Sequence, residues 1–150
     1  MWGGRQIVAL GGEASAALSL TSTTDIWIIA VPFRCKPIRA GFTITTAITV
    51  TDAIINFDSI IYTATGSSTR GNCDVGQITC PVGAYAYKCY YDNTDYVAAG
   101  TGTWKGTLDE GDLIVVQVYQ AATAGAGFPF VIVEVDPERP ANNTNMVQSA

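Results

Sequence analysis

The sequence predicts an all-β fold, an antiparallel two-sheet sandwich with the character of a jelly roll of about eight strands. Short runs rich in β-branched and aromatic residues recur along the 150 residues, and turn residues separate them. Gly41–Thr51 alternates between apolar and threonine side chains, as a half-buried strand does. No segment shows a convincing amphipathic helix pattern, so two packed sheets are the economical solution.

The predicted strands follow one another at short intervals. They are the weak strand Ser15–Leu20, then Asp25–Phe33, Gly41–Thr51, Ile54–Thr65, Gln77–Pro81, Ala84–Tyr91, Leu113–Tyr119 and Phe128–Val135. Val97 and Thr101–Leu108 form a further weak segment. Asp25–Phe33 is a continuous apolar run, which predicts a strand covered on both faces. One face of the third strand carries Phe42, Ile44, Ile48 and Val50, and the other face carries threonines.

Two connections are predicted from turn chemistry. Pro81–Gly83 predicts a hairpin that joins Gln77–Pro81 to Ala84–Tyr91. The Ala/Gly-rich stretch before Phe128, which contains Gly125-Ala126-Gly127, predicts a flexible loop between the last two strands.

The length fits a single domain over residues 1–150, with an N-terminal arm over about residues 1–14 and a polar C-terminal tail over about residues 137–150. An immunoglobulin-like sandwich is the alternative fold. It typically shows a Cys…Trp…Cys arrangement, whereas Trp27 precedes every cysteine here and Trp104 follows them all.

Composition excludes several classes of function. Eight Lys and Arg against thirteen Asp and Glu give a net charge of −5, which disfavours nucleic-acid binding. Histidine is absent, which argues against Ser-His-Asp and Cys-His nucleophiles and against most zinc catalysis. We therefore expect no enzyme, no cofactor and no metal. Carboxylate-only glycoside hydrolysis is the remote alternative.

The four cysteines, Cys35, Cys73, Cys80 and Cys89, include no C-x-x-C pair. In a reducing cytosol they would be small buried hydrophobic residues. If a pair forms, Cys80 with Cys89 is the favoured one, because these residues flank the turn at Pro81–Gly83.

No apolar run approaches the roughly 18 residues of a membrane helix, and the longest, Ile26–Phe33, contains Pro32. No secretory signal is visible at the N-terminus. We expect a protein without a membrane partner that is made in the cytoplasm of a cell.

Two groups of residues are candidate binding sites. Arg34, Lys36 and Arg39 concentrate positive charge ahead of the Gly41–Thr51 strand, either as a solvated loop or as a contact to an acidic partner. The tyrosines of the sixth strand, Tyr85, Tyr87, Tyr90 and Tyr91, pack as an ordinary strand, line a protein interface or form a platform for a sugar. The sequence places Tyr85, Tyr87 and Tyr91 on one face of that strand and Tyr90 on the other.

Other residues carry weaker signals. Trp2 is costly to expose, which indicates an anchored N-terminus. Asp109-Glu110-Gly111-Asp112 could hold calcium, but a turn that enters a core strand is the better interpretation. Asp92 and Asp95 beside the tyrosines could be paired catalytic acids, although their separation is not set by the sequence.

From about Arg39 onward the chain resembles the decoration, or cement, proteins of tailed-bacteriophage heads. The residues that carry the resemblance are the Phe42–Val50 strand, Ile78–Gly83 with the tyrosine strand, Leu108–Val118, Gly125–Gly127 with the last strand, and Pro140–Asn143. The resemblance implies a non-enzymatic jelly roll on the outer surface of an icosahedral capsid, often a homo-oligomer such as a dimer or trimer. Its partner would be the major capsid protein.

On this interpretation Trp2, Arg34, Lys36 and Arg39 are the expected capsid contacts, and Tyr85, Tyr87, Tyr90 and Tyr91 form the expected subunit interface. The competing hypothesis is a glycan- or receptor-binding jelly roll of a head fibre or tail, which would need an exposed aromatic platform.

Overall fold

The computed structural model describes residues 6–11, 16–62, 68–70, 75–91 and 107–136. Within these ranges the chain forms ten β-strands and no helix. The strands are β1 (Ile7–Gly11), β2 (Leu18–Ser19), β3 (Ile26–Ala30), β4 (Cys35–Thr49), β5 (Ala53–Tyr62), β6 (Ser68–Arg70), β7 (Gly76–Cys80), β8 (Cys89–Tyr91), β9 (Leu113–Gln120) and β10 (Ala124–Val135). β1 lies within the segment expected to form an N-terminal arm.

The strands form two antiparallel sheets. Sheet A has the order β1-β10-β4-β8, and β2 also pairs with β10. Sheet B has the order β3-β9-β5-β6, and β7 also pairs with β5. β1 and β2 pair with successive parts of β10, and β6 and β7 pair with successive parts of β5, so each of these couples fills one strand position. The predicted two-sheet sandwich is confirmed.

The strand order gives the jelly roll rather than the immunoglobulin alternative. The chain starts in sheet A with β1 and β2 and then alternates, with β3 in sheet B, β4 in sheet A and β5 in sheet B. After β6 and β7, which stay in sheet B, it alternates again through β8, β9 and β10. An immunoglobulin sheet instead sets consecutive strands side by side. Alternation between two sheets is the connectivity of a jelly roll.

The hydrophobic core lies between the two sheets. The inward side chains of β4 and β5 include Phe42, Ile44, Ile55 and Phe57, all of which are fully buried. Each such side chain contributes roughly 1.5–3 kcal/mol by leaving water. The predicted alternation of β4 is confirmed from Phe42 to Thr45; Thr46 is exposed where the register with β10 shifts, and Ile48 is buried again. Val50 is the exception: β4 ends at Thr49, and Val50 is 75% exposed in a turn with φ 71°.

The prediction that the Asp25–Phe33 strand is covered on both faces is wrong. In β3 the burial alternates, with Trp27 and Ile29 buried and Ile26 and Ile28 about half exposed. The physical reason is its position. Only the inner face of β3 packs against sheet A, so its outer face meets water; in the described part of the chain β3 also pairs with β9 alone and is an edge strand.

The predicted hairpin at Pro81–Gly83 is also wrong. β7 pairs with β5 in sheet B, whereas β8 pairs with β4 in sheet A, so the connection crosses between the sheets. Tyr85 and Tyr87 precede β8 and lie outside any strand, Tyr87 in a turn. Tyr87 has a positive φ of 63°, which ends the strand alternation predicted for the tyrosines.

From Ala124 onward, the Ala/Gly stretch before Phe128 is part of β10 rather than a flexible loop, and residues 121–123 alone connect β9 to β10. A Cβ added at Gly127 would lie 2.2 Å from the carbonyl oxygen of Thr43 and 2.4 Å from the Phe42 ring. Gly127 is therefore needed for close packing of β10 against β4, not for chain flexibility.

Candidate functional site

The three residues of the predicted basic cluster, Arg34, Lys36 and Arg39, do not lie together on one surface. Arg34 lies between β3 and β4, with its Nε 2.9 Å from Asp136 Oδ2 and its Nη1 3.6 Å from Asp109 Oδ1. Its charge is thus balanced within the chain, where it connects three segments at one end of the sandwich. Ion pairs at such partly exposed positions contribute about 0–1 kcal/mol.

Lys36 and Arg39 lie on the outer face of sheet A. Lys36 is opposite Glu134 in the ladder between β4 and β10, and Arg39 is opposite Ile132. The register shifts between these two pairs, so Ile38 is an extra residue in β4 and forms a β-bulge. The bulge places Lys36 and Arg39 on the same face although three positions separate them, an odd spacing for a regular strand.

Arg39 and Tyr91, which the sequence assigned to different sites, are in contact. The guanidinium carbon of Arg39 lies 4.2 Å from the centre of the Tyr91 ring, within cation–π distance. The Tyr91 ring meets the Phe130 ring edge to face, with centres 6.0 Å apart and an interplanar angle of 88°. A hydrogen bond between the side chains of Cys89 and Tyr91 raises the pKa of Tyr91, so its phenol stays neutral at physiological pH.

Gly41 makes this aromatic contact possible. It is paired with Tyr91 on one side and with Phe130 on the other. A Cβ at Gly41 would lie 2.2 Å from Cζ of Phe130, so the ring lies directly over the glycine. We call the resulting surface the aromatic face. It consists of Arg39, Gly41, Tyr91, Phe130 and Ile132 on the outer side of sheet A.

The other tyrosines lie apart from the aromatic face. Tyr85 and Tyr87 are 77% and 84% exposed in the connection before β8. Tyr90 is half-buried and packs against the core, with Lys88 Nζ 5.1 Å from its ring centre. Trp2, Asp92 and Asp95 lie outside the described residues. Their predicted roles stay predictions.

A cleft of about 290 Å³ lies beside the Arg34 ion pairs. Its lining residues are Cys35, Lys36, Thr107, Glu134, Val135 and Asp136. Burial raises the pKa of Cys35 to about 11, and the nearby carboxylates of Asp112 and Asp109 add to the effect. The thiol is therefore protonated at neutral pH and is a poor nucleophile.

The acidic segment Asp109–Asp112 forms a turn that enters β9, as predicted. The Asp109 N–H donates to Asp112 Oδ2 at 2.8 Å, and the Asp112 N–H donates to the Asp109 carbonyl at 3.1 Å. Gly111 has φ 93°, a conformation that favours glycine. Across the described ranges, no group of three or more His, Cys, Asp or Glu residues is arranged to hold a metal ion.

Phe130, Ile132 and Gly41 belong to the aromatic face but were not predicted as site residues. The last strand does contain a signal for two of them. Phe128, Phe130, Ile132 and Glu134 alternate with the buried Val131 and Val133, so they share the outer face of β10. The alternation does not reveal that β8, which carries Tyr91, lies on the other side of β4 from β10.

No family model, curated protein or solved structure matches this chain. The part of the chain that the structure describes includes no helix long and apolar enough to cross a membrane.

Proposed function

We propose that this protein is a capsid decoration protein, a non-enzymatic jelly roll that binds the outer surface of an icosahedral phage head. In this role it bridges adjacent major capsid proteins and stabilises the shell. The observation that carries the proposal is the aromatic face, where an arginine and two aromatic rings are presented on the open side of a sheet. The resemblance of the sequence to decoration proteins agrees with it.

The composition of the aromatic face supports a protein partner. Tyrosine, phenylalanine and arginine are enriched in the cores of protein interfaces and among the residues that dominate binding energy. Arg39 and Phe130 hold the Tyr91 ring from two directions before any partner binds. Little side-chain freedom is then lost on association, which favours affinity.

Charged residues border the aromatic face. Lys36 and Glu134 lie opposite each other in the next row of the sheet, on the side away from Tyr91. Charges at the margin of an interface influence orientation and encounter rate more than affinity. Such a border suits a protein that must bind in one orientation on a repeating surface.

A decoration protein stabilises a shell by binding the assembled state better than the separate subunits. The contact surface then has to be rigid, because it must match a geometry that exists only after assembly. β4 and β10, which carry most of the aromatic face, pair along almost their full length at the centre of sheet A.

The glycan-binding alternative is less well supported. A sugar ring stacks on the open face of an aromatic side chain. Arg39 lies over the ring of Tyr91, and Lys88 lies over the ring of Tyr90. A sugar that stacked there would have to displace a cation. Tyr85 and Tyr87 are more exposed, but they lie in the connection before β8 and not on one face of a strand.

The test is a binding assay with phage heads that lack the protein. Purified wild-type chain is added over a range of concentrations, and the bound fraction is measured after the heads are pelleted. Wild-type protein should bind saturably. Tyr91→Ala and Arg39→Glu should weaken binding at least about tenfold, because both remove central interface side chains.

Tyr119→Ala is the matched control, since Tyr119 is a 67% exposed tyrosine of sheet B. It should bind like wild type. Failure of the wild-type protein to bind would refute the decoration role. Equal binding by wild type, Tyr91→Ala and Arg39→Glu would instead show that another surface makes the contact.

A further inference from the structure

We propose that β3 is a dimerisation edge: two copies of this chain pair their β3 strands antiparallel about a twofold axis at Ile28, joining their B sheets. The inference concerns the free protein and does not depend on the decoration role.

The first argument is the exposure of apolar side chains along this edge. Ile26 is 52% exposed and Ile28 is 48% exposed, although both lie in a regular strand. β3 pairs with β9 on one side, and no strand of the described chain pairs with it on the other. An open apolar edge is a template for pairing with another chain.

The second argument is the direction of the backbone groups. The N–H of Val31 donates to the Asp112 carbonyl, and its carbonyl accepts from the Gly111 N–H, so both groups of Val31 point toward the β9 side. The register between β3 and β9 is unbroken, and these directions alternate along a strand. The N–H and carbonyl groups of Ile26, Ile28 and Ala30 therefore point outward.

This alternation fits self-pairing. With a twofold axis at Ile28, each Ile28 faces its own copy, and each Ile26 faces Ala30 of the second copy. These are the residues whose backbone groups point outward, so each outward N–H meets an outward carbonyl across the axis. If the register shifted by one residue, the outward N–H and carbonyl groups of one copy would face residues of the other copy whose backbone groups already bond to β9. Those outward groups would then lack hydrogen-bond partners.

The third argument is charge. The whole chain carries a net charge of −5, so contact between two copies brings like charges together unless the surface is neutral. Ile26–Ala30 contains no charged residue and no proline, the usual devices that protect an open edge. In the proposed register Asp25 faces Val31 rather than another carboxylate.

Neighbouring residues widen the contact beyond one strand. β1, the edge of sheet A, contacts β3 and is also without charge. Ile7 of β1 is 53% exposed. Phe128, 38% exposed, packs edge to face on Trp27 with ring centres 5.8 Å apart. A stable dimer needs about 800 Å² from each partner, and both edges together supply more of this area than β3 alone.

The experiment measures the mass of the protein in solution by sedimentation equilibrium over a wide range of concentrations. Wild-type chain should be a dimer that dissociates on dilution. Ile28→Lys and Ile28→Glu should each raise the dissociation constant at least about tenfold, because like charges would meet at the axis. A mixture of these two variants should recover the dimer, since opposite charges would then face each other.

Val82→Lys is the matched control, because Val82 is also 48% exposed but lies in the turn between β7 and β8. It should dimerise like wild type. A wild-type chain that stays monomeric at every concentration would overturn the proposal, and so would a dimer that Ile28→Lys leaves unchanged.

Amide hydrogen exchange of the wild-type protein gives a second measurement that needs no variant. In the monomer the amides of Trp27 and Ile29 should be protected by β9, while those of Ile26, Ile28 and Ala30 should exchange faster. At dimer concentrations all of these amides should be protected. Unchanged exchange at Ile28 across the dimerisation range would contradict edge pairing.

Discussion

The centre of sheet A buries its large apolar side chains in the core, whereas the edge of sheet B leaves some of its apolar side chains exposed to water. Along β4 and β10, the side chains of Phe42, Ile44, Val131 and Val133 are fully buried, and a Cβ at Gly127 would collide with the neighbouring strand. Along β3, Trp27 and Ile29 fill the core, while Ile26 and Ile28 remain about half exposed to water. The central ladder between β4 and β10 is packed too closely to accept larger side chains, whereas the edge strand β3 carries exposed apolar side chains that do not contribute to the core.

This difference separates residues that specify the fold from residues that indicate binding. Substitutions in the central ladder should cost stability. Substitutions at exposed apolar positions should leave stability nearly unchanged and alter association instead. The aromatic face combines both features, because Gly41 and Phe130 are fitted to each other while Tyr91 and Arg39 are open to a partner.

The largest expected effect is in the central ladder. Phe42→Ala should reduce the free energy of unfolding by about 3–5 kcal/mol, because the ring is fully buried and its loss leaves a cavity. Denaturant unfolding of the monomer measures this. Ile26→Ala on the edge strand β3, where the side chain is 52% exposed, should cost clearly less, and equal losses for the two variants would remove the distinction between centre and edge.

Two glycines give the next test. Gly127→Ala should destabilise the protein by roughly 2–4 kcal/mol, since its Cβ would lie 2.2 Å from a backbone oxygen that cannot move aside easily. Gly11→Ala on the edge strand β1 has no atom within 4 Å of the new Cβ. Its stability should stay within about 0.5 kcal/mol of wild type. A similar loss at both glycines in thermal or denaturant unfolding would contradict the close approach of β10 to β4.

Buried thiols should make stability depend on alkaline pH. Burial, with a smaller contribution from Cys89, raises the pKa of Cys80 to about 12 from an ordinary value near 9.0. The folded state therefore keeps a proton that the unfolded state loses above pH 9, so the stabilising contribution is complete below that pH and declines above it. The decline for this thiol is up to about 1.4 kcal/mol per pH unit.

Cys80→Ala isolates this contribution from other groups that titrate in the same range. The difference in unfolding free energy between wild type and Cys80→Ala should shrink as pH rises from 8 toward about 10.5. A difference that stays constant over this range would show that the thiol is not shielded from water in the folded protein.

The smallest expected effect is a gain in stability from a substitution at Val50, the residue that follows the end of β4. Val50 adopts φ 71°, an unfavourable conformation for a β-branched residue, and it is 75% exposed. Val50→Asn should stabilise the protein by roughly 0.5–1 kcal/mol, because asparagine tolerates this conformation better. Val82→Asn, at an exposed valine without a positive φ, should give no gain in the same unfolding measurement.

Local patterns predicted the strands well where one face is buried. The alternation in β4 requires no knowledge of the partner strand, since Phe42, Ile44 and the threonines reveal it alone. The apolar run of β3 was misinterpreted because the same residues suit a strand covered on both faces and a strand with one solvated face. Which of the two occurs depends on what packs over the outer face of the sheet, which is a non-local property.

The aromatic face needed information that the sequence does not carry locally. Arg39 and Tyr91 were each identified as candidates, yet their contact depends on β8 pairing with β4 across more than forty residues. The predicted tyrosine strand failed because a turn with a positive φ falls at Tyr87, where no glycine marks it. Gly125 and Gly127 had the composition of a loop, but both lie in β10, which pairs with the distant strand β4.

The most direct test of the decoration role is the copy number of this chain in purified phage particles, measured by quantitative mass spectrometry against the major capsid protein. We predict a fixed ratio of this chain to the major capsid protein, with roughly hundreds of copies per particle, because a decoration protein binds at every repeat of the shell lattice. Absence from the particles, or only about a dozen copies, as expected of a component confined to one vertex, would contradict binding across the capsid surface.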